Sequence, residues 1–208
     1  MTLPSQAVEH LSISDPFLAP IIAKHGPYTI QSHTNYYQEL VDSIISQQLS
    51  VKAAATIQKR FCALFGNEDQ LPSPEKILSK DIEELRSCGL SRPKASYIQD
   101  LALHVIEGRI KFDHLEDLTN EEIVAELTAV KGIGVWTVHM FLIFCMGRLN
   151  VLAYGDLGVR NGIKLLYELD HVPDQKEVEA IATQYHWNPY ESVACRYIWK
   201  SLDNTPAL

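Results

Sequence analysis

Leu127 to Arg160 reads LTAVKGIGVWTVHMFLIFCMGRLNVLAYGDLGVR, and the order of its parts decides the fold. A tight hairpin, Val130-Lys131-Gly132-Ile133-Gly134, comes first. An almost unbroken apolar run from Val135 to Met146 follows, long enough for about three helical turns. A lone acid, Asp156, stands twenty residues after Trp136, at the start of a further helical pattern. Glycine reaches backbone conformations closed to other residues and lets a second chain come close. Gly132 and Gly134 can therefore turn the chain and point N–H groups outward. The helix that starts near Gly134 adds its first-turn donors and the positive end of its dipole, a seat for phosphate. Upstream, Thr119-Asn120-Glu121-Glu122 is a capping box opening a short helix with Ile123, Val124 and Leu127 as its apolar face. Two readings stand for this unit: a grip on a nucleic-acid backbone, or an ordinary turn between helices.

Together with the rest of the chain, the stretch resembles the helix-hairpin-helix superfamily of DNA glycosylases, and within it the alkylbase (3-methyladenine) glycosylases. The residues that carry the likeness are Gly132-Ile133-Gly134-Val135-Trp136-Thr137 and Gly155-Asp156-Leu157-Gly158-Val159-Arg160-Asn161-Gly162. Ile45-Ser46-Gln47-Gln48-Leu49-Ser50, Cys88 to Ala95, and Ser192 to Trp199 extend it over most of the chain from about Asn35 onward. The resemblance implies an all-α, two-lobed fold with the active-site cleft between the lobes. A central lobe, 36–150, would carry the wedge and the hairpin. A second lobe, 1–35 plus 151–208, would carry the acid. The implied activity is hydrolysis of the N-glycosidic bond of alkylated purines, 3-methyladenine and 7-methylguanine, after base flipping in double-stranded DNA. Two departures bear on affinity: Val135 stands where relatives often have arginine, and Glu191 where they often have a basic residue.

Each site residue has two readings. Asp156 stabilises the developing sugar cation by resemblance, and by position it is an N-cap; both can hold at once. Leu49 falls at the junction of two helical patterns, with Ser50 a good cap for the second. It either staples those helices or, as the resemblance implies, fills the gap left by a flipped base, flanked by Gln48 and Ser50 at the minor groove. Gln47 and Gln48 face either the opposed base or solvent. Arg92 and Lys94 read as an exposed basic first turn. Trp136 and Trp199 would line the base pocket by resemblance, although core packing is the usual fate of a tryptophan on the apolar side of a helix. By the resemblance, Lys131, Gly132, Ile133 and Gly134 would form the phosphate-binding hairpin. Strand-cutting members of the superfamily carry a lysine two residues after the second hairpin glycine. That position is Trp136 here, which implies a monofunctional hydrolase.

Composition sets the outer bounds. A chain of 208 residues with 46% apolar and 21% charged side chains is long enough and ordinary enough for a globular core. No apolar run approaches the roughly 18 residues of a membrane span, so no membrane partner is expected. The first residues lack the basic and apolar blocks of a signal peptide, which suggests an intracellular protein: cytoplasm or nucleoid in a bacterium, nucleus in a eukaryote. The four scattered cysteines have no metal-ligand or disulfide spacing. No metal cofactor is expected, while the resemblance leaves room for a monovalent cation at the hairpin carbonyls. A net charge of −8 sits poorly with DNA binding. The acids are clumped, however, and Lys52, Lys59, Arg60, Arg92, Lys94, Lys131, Arg160, Lys164, Arg196 and Lys200 fall near the motifs. A basic face on an acidic, monomeric body is the expectation.

Asp15-Pro16, Ser73-Pro74 and Asn188-Pro189 read as helix starts, and Gly66, Gly89 and Gly108 as stops. Around ten helices with short loops make an all-α protein. Three other functions compete: a glycosylase for deaminated or etheno-purines, a non-catalytic helix-hairpin-helix DNA-binding protein, and a helical adaptor.

Overall fold

The computed structural model describes residues 5–29, 33 and 35–202. The chain divides into two units. One is continuous, Asn35–Val138; the other is assembled from Met1–Thr34 and His139–Ala207. Residues 139–150, assigned to the central lobe on sequence grounds, group instead with the unit that holds Asp156. Among the described residues no strand forms, Thr29 alone having a bridge pairing. The all-helical expectation holds.

The discontinuous unit opens with α1 (Ser5–Ser14) and α2 (Leu18–His25). Asp15 lies between them as an N-cap, its Oδ1 accepting from Phe17 N at 2.9 Å and Leu18 N at 3.0 Å. The continuous unit runs through α3 (Tyr36–Ser46), α4 (Val51–Ala63), α5 (Pro74–Leu78), α6 (Ile82–Arg86), α7 (Arg92–Ile106), a 3₁₀ segment (Phe112–Asp117) and α8 (Asn120–Thr128). Helix α9 (Val135–Met140) crosses the boundary. The chain then returns to the first unit for α10 (Leu157–Leu166), α11 (Gln175–Gln184) and α12 (Glu191–Ser201).

Local sequence explains most of the helix starts. Asp81 with Glu84, Thr119 with Glu122 and Asp174 with Glu177 close reciprocal capping boxes. The Asn188 start is a correction: α12 begins at Glu191 with Tyr190 at the cap position and no side-chain cap. The long apolar helix is a second correction. After Met140 it widens into a π-helical segment, Phe141–Cys145, closed by Met146 N donating to Phe141 O at 3.0 Å. The wider turn lets Phe141, Leu142, Ile143 and Cys145 all be buried, which a one-sided α-helical stripe could not do.

Two features hold the discontinuous unit. Asp15, fully buried, also receives Trp187 Nε1 at 2.7 Å and the Tyr167 hydroxyl, so one carboxylate joins the α1–α2 turn to segments far along the chain. Helices α10 and α12 cross closely at Gly162, where an added Cβ would lie 2.3 Å from Ile198 Cγ2. In the continuous unit, Leu40, Ile44 and Ile45 of α3 are buried, as are Phe61 of α4 and Ile98 and Leu101 of α7.

Candidate functional site

In the hairpin, Val130 and Ile133 are buried while Lys131 between them is 71% exposed at its side chain. Ile133 N donates to Val130 O at 3.2 Å, and Val138 N to Gly134 O starts α9. Gly132 has φ 82°, and a Cβ there would meet the Tyr97 ring at 2.1 Å. Conformation and space thus both demand glycine. Lys131 is anchored twice to Asp100 of α7: its N–H donates to Oδ2 at 2.9 Å, and its Nζ lies 3.4 Å from Oδ1. Burial works to raise the Asp100 pKa, but the Lys131 bonds and charge prevail and hold it below the usual carboxylate range. Val130 O and Gly132 O each accept one N–H and keep a second lone pair, which is what a monovalent cation at the hairpin would require. Among the described residues no three His, Cys, Asp or Glu side chains cluster as a metal site.

The α3–α4 turn lies in the same unit. Leu49 N donates to Ser46 O at 3.0 Å, Gln48 takes φ 58°, and Ser50 caps α4 through Ala53 N at 3.3 Å. Leu49 is 38% exposed and its neighbour Val51 73%, so two apolar side chains meet solvent at one turn. Leu49 is thus partly open to solvent at the junction of the two helices. Gln47 Nε2 donates to Gly132 O at 2.9 Å, which ties the turn to the hairpin. Lys94 is not an exposed base either: its Nζ donates to Ile45 O at 2.8 Å and Gln47 O at 2.6 Å. Burial pushes its pKa below the ordinary lysine value. Arg92 fits the exposed reading and pairs with Glu83. Trp136, at the start of α9, is 43% exposed.

In the other unit Asp156 caps α10, Oδ1 accepting Val159 N at 2.8 Å, and it is only 6% exposed. The same oxygen accepts Trp199 Nε1 at 2.8 Å. Trp199 is completely buried, so it offers no open face to a base; it holds the acid. Its ring is stacked on Phe144 of the π segment, centroids 5.4 Å apart and planes at 29°, and Phe144 is half-buried. Arg196 lies 4.5 Å over the Phe144 ring and donates to Ile143 O at 2.8 Å. Gly158 keeps this corner open, since a Cβ there would fall 3.0 Å from Asp156 Oδ1.

Sequence reasoning missed Lys94, Tyr97 and Asp100 as the shared support of turn and hairpin, although their three-residue spacing on one helix marks a common face. It missed Phe144, which is one of many apolar residues in its run. It also counted too many free bases, because Lys94, Arg160 and Arg196 are engaged with backbone carbonyls.

Comparison with known proteins bears on these features. Residues 41–186 match the model of the family described as HhH-GPD superfamily base excision DNA repair protein. DNA-3-methyladenine glycosylase 1 of Schizosaccharomyces pombe is 36% identical over 189 residues, 88% of this chain and 80% of its own. The solved S. pombe 3-methyladenine DNA glycosylase (Mag1) in complex with abasic DNA superposes with a TM-score of 0.82 at 34% identity, covering 98% of this chain and 99% of that one. A DNA-3-methyladenine glycosidase from Bacillus halodurans gives 0.85 at 38% identity, over 97% and 91%.

Proposed function

The chain belongs to the HhH-GPD superfamily of base excision DNA repair proteins and, within it, to the 3-methyladenine DNA glycosylases; from that premise we propose that it is a monofunctional hydrolase that flips alkylated purines out of duplex DNA and releases them with Asp156 as the catalytic carboxylate.

Alkylation at N3 of adenine or N7 of guanine leaves a cationic base that departs with little acid assistance. The enzyme has to expose the base, hold it, and stabilise the sugar cation. Flipping costs a few kcal/mol, less for a damaged base. Leu49 fills the vacated stack, with Gln48 and Ser50 alongside in the minor groove. The exposed Trp136 offers an electron-rich face to a cationic ring, worth about 0.5–2 kcal/mol. Lys131 and the Gly132-Ile133-Gly134 backbone take a phosphate, and a monovalent cation at the hairpin carbonyls would add positive charge there. Asp156 supplies fixed negative charge where the oxocarbenium develops and orients water. One observation carries the reading: the Asp156 carboxylate is nearly buried yet held by two N–H donors, a preorganised acid rather than a solvated cap.

The test is to incubate the protein with methylated duplex DNA and identify the bases released. We expect 3-methyladenine and 7-methylguanine, strand breaks only after hot alkali, and no adduct on adding borohydride, because Trp136 has no amine with which to attack the sugar. A trapped adduct, or release of hypoxanthine or ethenoadenine alone, would overturn this assignment.

A further inference from the structure

Helix α7 presents Lys94, Tyr97 and Asp100 at three-residue spacing, and each meets a different part of the α3–α4 turn or the hairpin. The Lys94 ammonium bonds the carbonyls of Ile45 and Gln47. The Tyr97 ring occupies the space beside Gly132. Asp100 holds Lys131. Gln47 closes the circuit by donating to Gly132 O. The two carbonyls that Lys94 takes lie at the C-terminal end of α3, where the helix leaves acceptors unsatisfied and the dipole is negative. Directly after them Gln48 sits at φ 58°, a left-handed conformation that a residue with a side chain keeps only when its surroundings impose it.

We propose that Lys94 is a positioning residue for the wedge: by clamping Ile45 O and Gln47 O it imposes the turn that projects Leu49 and keeps that turn in register with the hairpin. The inference rests on the reading of Leu49 as the residue that fills the stack. It gives a role to a lysine that, as an exposed base, would have been counted among the phosphate contacts. Its charge is spent inside the protein, and its influence on DNA passes through the turn.

Replacing Lys94 by Met keeps the aliphatic stem and removes the clamp. On duplex DNA with one lesion, K94M should lower single-turnover excision about tenfold, the scale of one charge-assisted hydrogen bond, and change excision from the same strand left unpaired far less. The fluorescence rise of 2-aminopurine placed beside the lesion, which reports unstacking, should shrink in parallel. Lys94→Arg should recover part of the duplex rate, and Lys94→Gln, which keeps a neutral donor, serves if K94M does not fold. Equal losses on both substrates would make Lys94 an ordinary structural cap and overturn the proposal. Leu49→Ala is run beside it. If that variant leaves the duplex-to-single-strand ratio unchanged, the wedge reading itself falls, and the Lys94 role with it. If it lowers the ratio and K94M does not, the Lys94 role alone falls.

Discussion

Asp42 and Asp156 show how differently two carboxylates on helices can be used. Asp156 caps α10 and receives Trp199, so Asp156→Asn retains an oxygen that can take Val159 N and preserves most of the cap. Removing the charge should abolish excision, leave binding to abasic duplex nearly intact, and move the unfolding free energy by less than about 1 kcal/mol. Excision assays and a urea titration on the same preparation separate the two roles; wild-type release by the variant would leave Asp156 as a cap only. Asp42, by contrast, lies half-buried on α3. Burial raises its pKa to about 6, Glu39 adds to the shift, and bonds from Gln38 and Gln58 oppose it. The folded form therefore binds its proton more tightly than the unfolded chain, and stability falls as pH rises from about 4 to 6. Asp42→Asn keeps an oxygen for Gln58 Nε2, now at 2.7 Å, and removes the charge. It should stabilise the protein at pH 7 by about 1 kcal/mol, discounted for the partial exposure of the group, and do little at pH 4. An unchanged difference between the two pH values would show that Asp42 is not the cause.

Among the elements, the close crossing of α10 and α12 leaves no room for a side chain at Gly162. A methyl at Gly162 would strike Ile198 Cγ2, so Ile198 would have to change rotamer or the two helices to part. Gly162→Ala should cost about 1–3 kcal/mol by overpacking, despite the gain in helix propensity that alanine brings elsewhere. A melt equal to or above that of the parent chain would mean that the two helices part easily. This contact was not legible in the sequence, because Ile198 lies on a separate helix and no local pattern ties it to Gly162. The same divide runs through the rest of the molecule. Thr119, Asp81 and Asp174 announced their helices because a capping box is complete within four residues. The hairpin and Ser50 were readable for the same reason. The widening of the chain at Phe141 and the buried Trp199 were not, since packing on several sides decides both. Lys94 illustrates the limit: its partners Ile45 and Gln47 lie 49 and 47 residues away, so its use as a clamp is a tertiary fact.

For the whole molecule, charge sets how DNA is met. The formal net charge is −8, and Lys94, Arg160 and Arg196 are committed to carbonyls and Arg92 to Glu83, which leaves Lys52, Lys59, Arg60 and Lys131 as the exposed cations on α4 and the hairpin. If each of the four meets a phosphate, the slope of log K against log salt is about −4, shallow for a DNA-binding protein. Fluorescence anisotropy on an undamaged duplex between low and moderate salt would measure it. A slope steeper than about −6 would reveal a basic surface that these residues do not account for.

The Asp15 carboxylate has a history as well as a position. A ribosome delivers a chain from its N-terminus at about 5–20 residues per second. The partners of Asp15, Tyr167 and Trp187, follow it 152 and 172 residues later. For roughly ten to thirty seconds of every synthesis, therefore, Oδ1 of this acid has its local donors while Oδ2 still waits for Tyr167 and Trp187. Asn35–Val138, complete within one uninterrupted stretch, has all its own partners in hand during that wait. The unit that contains α1 and α2 is thus completed only after the continuous one has been made.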